Sequence, residues 1–90
     1  MRLDSKVKIA EDVFMQEIDD ETILLDIKTE EYFSLNEIGK VFYEILSEKE
    51  TLVDVLDELE NCFEVPQVEL QKDLFSFVKA LEEKKLLTIL

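Results

Sequence analysis

At residue 36 the apolar residues of this chain change period, and that switch restricts the fold more than any single motif does. Before it, short apolar runs are extended or alternate, separated by brief polar stretches. After it, apolar residues recur at helical spacing. A half-buried strand hides every second residue, whereas a helix hides every third or fourth, so the two patterns cannot exchange roles. Strands first and helices afterwards is the expected order, an α+β chain.

Val7-Lys8-Ile9 alternates, and Val13-Phe14-Met15-Gln16-Glu17-Ile18 forms a second extended run of mixed pattern. In Thr22-Ile23-Leu24-Leu25-Asp26-Ile27, a pleat sets Ile23, Leu25 and Ile27 on one side and Thr22, Leu24 and Asp26 on the other. Asp19-Asp20-Glu21 separates these runs at hairpin length, and Lys28-Thr29-Glu30 leads into the short run Glu31-Tyr32-Phe33-Ser34-Leu35. Connections this short favour antiparallel neighbours, so the last three runs form a three-stranded meander.

Asn36 suits the N-cap of a first helix whose stripe is Ile38, Val41, Phe42 and Ile45. Thr51 opens a second, since Thr51-x-x-Asp54 has the form of a capping box. Leu52, Val55, Leu56, Leu59 and Phe63 give that helix its apolar face. Pro66 belongs in the first turn of a third helix, where its missing N–H costs nothing, and Leu70, Leu74, Phe77, Val78 and Leu81 carry it to about Lys85. The tail Leu86-Leu87-Thr88-Ile89-Leu90 either closes a sheet or packs down.

Charge narrows the function. The 23 acidic residues outnumber 10 basic ones, for a net charge of −13. Such a surface repels nucleic-acid phosphates and anionic membranes, so neither is an expected partner. Yet 47% of the 90 residues are hydrophobic, too many for a disordered acidic chain. With no histidine and one cysteine, the commonest general base and any internal disulfide are missing. No apolar run is long enough for a membrane span, and Met1 to Lys6 does not read as a secretory signal. A free thiol then fits a cytoplasmic protein.

No constellation suggests catalysis, a metal or another cofactor. Glu11-Asp12, Asp19-Asp20-Glu21 and Glu30-Glu31 lack the loop spacing of a Ca²⁺ site and read as solvated turns. Cys62 has no basic neighbour to activate it and reads as a packing residue. Gly39, inside the first helix, suggests close approach of another element. Two aromatics fit a core poorly. Phe75 lies about 60° beyond the third helix's stripe, and Tyr32 alternates with Phe33, so one aromatic should face outward or line a groove. The last meander strand is an edge, and an edge beside a helix can take an extended peptide.

Leu24-Leu25-Asp26, Glu31-Tyr32-Phe33-Ser34-Leu35-Asn36-Glu37-Ile38-Gly39 and Asp73-x-x-x-Phe77-x-x-x-Leu81 together resemble the PqqD-like family, from about Val13 to Leu87. The resemblance implies one domain over residues 1–90, winged helix-turn-helix-like, with a three-stranded antiparallel N-terminal sheet followed by three helices. It also implies a non-catalytic peptide chaperone with two partners: the leader of a ribosomally made precursor, and a modifying enzyme such as a radical SAM protein or a lasso-peptide protease. By the same resemblance Glu31, Tyr32, Phe33, Ser34 and Leu35 form the recognition strand. Leu70, Asp73, Leu74, Phe77 and Leu81 match the recognition helix, some of them shared with the core. Family members often carry Gly just before the Tyr, where this chain has Glu30-Glu31. Its turn must form without glycine's easy positive φ, and the added charge favours a basic leader.

Two other readings compete. A module that homodimerises through the same edge strand would dimerise with concentration and bind no leader. A DNA-binding winged helix needs a basic third helix, but Lys72, Lys79, Lys84 and Lys85 there face Glu69, Asp73, Glu82 and Glu83.

Overall fold

Two acidic residues make the first tight turn. Asp19 and Asp20 both adopt positive φ, 48° and 69°, as a two-residue hairpin with right-handed strand twist requires. Aspartate tolerates that conformation better than most side chains. The turn joins β2 (Val13–Ile18) to β3 (Glu21–Asp26), and β4 (Tyr32–Leu35) completes an antiparallel sheet in the order β2-β3-β4. The structure, a computed structural model, describes residues 1–90.

Three helices follow, as the change of period predicts: α1 (Glu37–Glu48), α2 (Leu52–Cys62) and α3 (Gln67–Glu83). Both expected side-chain caps form. Asn36 accepts from the Gly39 N–H at 2.7 Å and Thr51 from the Asp54 N–H at 3.3 Å, satisfying amides that the helices leave free. Pro66 stands at the N-cap of α3, one position before the helix.

The far end of α3 turns the chain back. Lys85 takes φ 60°, the Leu86 N–H donates to the Leu81 carbonyl and the Lys85 N–H to that of Glu82. This is a Schellman turn with a lysine where glycine is usual, and fully buried Leu81 and Leu86 supply its apolar contact. It launches β5 (Leu87–Ile89), which pairs antiparallel with β1 (Val7–Ile9) through Val7↔Ile89 and Ile9↔Leu87. The tail is therefore a closing strand. The segment before β1 crosses the α1–α2 junction, where the Val7 N–H donates to the Glu50 carbonyl and the Leu52 N–H to that of Ser5.

The core lies among the helices. Leu52, Val55, Leu56 and Leu59 of α2 meet Leu74, Val78 and Leu81 of α3, all fully buried. Each such side chain contributes about 1.5–3 kcal/mol by leaving water. No helix is long and apolar enough to cross a membrane.

The structure decides one point that the pattern left open and corrects one expectation. On β3 the buried face is the one carrying Leu24 and Asp26, while Ile23 and Leu25 are half-buried and Ile27 is exposed beyond the strand. Asp26 can be buried because its Oδ1 accepts the N–H groups of Lys28 and Thr29, at 2.8 and 3.1 Å. On α1, Ile38 leaves the core stripe and is 57% exposed, since the first turn projects past the end of β4. The same helix buries Tyr43 and Leu46 instead. A Lys40–Glu17 ion pair ties α1 to β2, and it holds the Glu17 carboxyl below and the Lys40 ammonium above their ordinary values.

Candidate functional site

Hydrogen-bond alternation along β4 decides what its outer edge offers. Antiparallel pairs alternate between bonded and non-bonded. The Asp26 N–H donates to the Glu31 carbonyl at 2.9 Å, so the next bonded pairs in that register are Leu24↔Phe33 and Thr22↔Leu35. Tyr32 and Ser34 consequently direct their N–H and C=O groups away from β3, toward the open side of the sheet. β4 thus presents two donors and two acceptors to an incoming strand.

Its side chains divide by the same parity. Phe33 and Leu35 point toward the helices, whereas Tyr32 is on the outer face and 61% exposed. Tyr32 is thus the outward aromatic expected from the pattern, because Phe75 is half-buried against the core.

Beside this edge lies a groove of about 340 Å³. Phe77 of α3 forms its floor, edge-on to Phe33 with ring centroids 6.1 Å apart and to Phe42 of α1 at 5.6 Å. Gly39 of α1 lies beside them in the groove wall. A Cβ there would stand 3.3 Å from the Asn36 Oδ1, 3.4 Å from Leu35 and 3.5 Å from the Phe77 ring. Only the contact with the Asn36 cap is tighter than ordinary van der Waals distance, so the close approach of another element expected at this glycine is not what requires it. Ser34, Asn36, Ile38 and Asp73 complete the lining.

Of the residues expected at a site, Phe33, Ser34, Leu35, Asp73 and Phe77 converge on the groove. Tyr32 contributes its backbone. Glu31 lies just before β4, its carboxylate 3.8 Å from the Lys84 ammonium at the end of α3. Leu70, Leu74 and Leu81 sit in the core at 3%, 0% and 0% exposure, outside the groove lining. Of those matched helix positions, only Asp73 and Phe77 reach the groove.

Sequence reasoning missed the wall built by Asn36, Ile38, Gly39 and Phe42. The available signal was the N-cap directly after the strand, which places the first turn of α1 at the end of β4. The described residues contain no group of three or more potential metal ligands.

Three comparisons bear on this geometry. Residues 21–87 match the family model described as Coenzyme PQQ synthesis protein D (PqqD). No curated protein matches the chain. Among solved structures, TbiB1 in complex with the TbiA(beta) leader peptide is 32% identical at a TM-score of 0.77, over 89% of this chain and 93% of that one. A lasso peptide synthetase B1 complexed with the leader peptide superposes at 0.76, over 92% and 98% of the two chains. Its 22% identity speaks for the fold alone.

Proposed function

The chain belongs to the PqqD family, and on that premise we propose that it is a non-catalytic chaperone for a leader peptide. It captures the leader of a ribosomally made precursor as an added strand on β4. It then presents the precursor to a modifying enzyme such as a radical SAM protein or a lasso-peptide protease. The observation that carries this reading is the unpaired β4 edge standing beside an aromatic groove. TbiB1, with a similar fold, was solved with a leader peptide bound.

The energetics are consistent with capture. Ordering a flexible leader costs several kcal/mol. Up to four backbone hydrogen bonds at Tyr32 and Ser34 return about 0.5–1.5 kcal/mol each. Side chains buried against Phe33, Leu35 and Phe77 add the remainder and the selectivity. Holding the leader raises the local concentration of the precursor at the enzyme, which is the chaperone's whole contribution to rate. Cys62 is exposed rather than the packing residue its surroundings in the sequence suggested, and its unbridged thiol fits a reducing, cytoplasmic setting.

Amide NMR titration with the leader of a cognate ribosomally made precursor tests the reading. Shifts should concentrate on Tyr32–Leu35 and on α3 around Asp73 and Phe77. A verified leader that moves none of these overturns it. Shifts of β4 that grow with protein concentration, with no leader present, would point to the homodimer instead.

A further inference from the structure

Asp73 is the only ionisable residue that lines the groove. It also lacks a partner, since the ion pairs of the chain are Arg2–Asp4, Lys40–Glu17 and Lys84–Glu31, and no hydrogen bond reaches its carboxylate. The other residues that line the groove are apolar or neutral. A carboxylate so placed favours a cation on whatever fills the groove.

Its position along the groove follows from two contacts. Phe33 meets Phe77, and Glu31 meets Lys84, so β4 and α3 run in opposite directions past each other. Asp73, one helical turn before Phe77, therefore stands at the Leu35 end. A strand added antiparallel to β4 enters at that end with its N-terminal residues. Its bonded pairs are with Tyr32 and Ser34, so the residues opposite Leu35 and Phe33 turn their side chains into the groove. These are two apart, and the preceding residue of the same parity reaches the Asp73 end.

Resting on the strand-addition reading above, we propose that the groove selects a leader segment that reads basic–x–apolar–x–apolar from N to C. Asp73 holds the Lys or Arg, and the apolar side chains seat opposite Leu35 and Phe33. The cation supplies selectivity, because an uncompensated acidic residue at that position meets Asp73 across an apolar groove.

Synthetic peptides test this directly. The probe is acetyl-Gly-Ser-Lys-Thr-Leu-Thr-Phe-Ser-Gly-amide, compared with the same peptide carrying norleucine or Glu in place of Lys, and with its reversed sequence. Binding is read by amide shifts of β4 at about 150 mM NaCl, where charges more than about 8 Å away are largely screened. The lysine peptide should bind about three- to tenfold more tightly than the norleucine peptide. Asp73→Asn should abolish that preference, and Asp73→Lys should make the Glu peptide the best of the three. Asp73 is exposed and unpaired, so neither variant should alter the fold, which unchanged circular dichroism would verify.

A lysine preference that survives in Asp73→Asn, or tighter binding of the reversed peptide, overturns the proposal. Equal binding of lysine and norleucine peptides at β4 overturns it while leaving strand capture intact. If no peptide shifts β4, the motif is wrong, and capture itself stands or falls on the leader titration.

Discussion

Glu30 shows at the residue scale what a missing glycine costs. It holds φ 66° in the turn before β4, a conformation that charges a non-glycine residue about 1 kcal/mol or more. Glu30→Gly should raise stability by about 1 kcal/mol, or roughly 4–8 °C in the thermal midpoint for a domain of this size. A lower midpoint in differential scanning calorimetry would contradict the strain. Asp26 acts on the same turn from the other side, because its carboxylate oxygen gathers two backbone N–H groups that would otherwise splay. Asp26→Ala should cost about 1–2 kcal/mol in urea denaturation, with Asp26→Asn recovering most of it through the retained Oδ1. The need for positive φ without glycine was legible in the sequence. The work of Asp26 was not, since an aspartate facing the same side as Leu24 looks like a solvent position until the turn closes over it.

The informative element is β4, whose two edges do different jobs. Phe33 and Leu35 pair with β3 and hold the sheet, while Tyr32 and Ser34 leave their backbones to the open side. Proline on an edge strand is tolerated only where its missing N–H faces outward. Ser34→Pro should therefore retain the fold, with circular dichroism near wild type, and lose about tenfold or more in leader affinity. Phe33→Pro should disrupt the β3–β4 ladder and lower the unfolding midpoint. Equal damage from the two would refute the assigned parity. The elements themselves were largely readable: caps at Asn36 and Thr51, the α2 stripe and the hairpin turns follow from local chemistry. Strand parity was readable too, but not which face of β3 is covered, because both faces carry apolar residues and periodicity alone cannot rank them.

Over the whole molecule, a net charge of −13 is answered by three ion pairs, two of them between elements distant in sequence. Self-repulsion therefore dominates the long-range electrostatics, and salt screens it with a length of about 10 Å at 0.1 M. Raising NaCl from about 10 to 200 mM should increase the thermal midpoint and weaken binding of a basic leader, opposite signs from one cause. A midpoint that falls over that range would show that the few ion pairs outweigh the repulsion. The sequence by itself determined the order of strands and helices, the caps and the interior of α2, all consequences of neighbours a few residues apart. Only the tertiary structure decided that β5 closes on β1, that Leu70, Leu74 and Leu81 belong to the core, and that Phe77 and Asp73 do not. One helical stripe can face a core and a groove at once. Where the boundary falls is set by the elements that approach it from β4 and α1, and that meeting is a property of distance in space rather than of spacing along the chain.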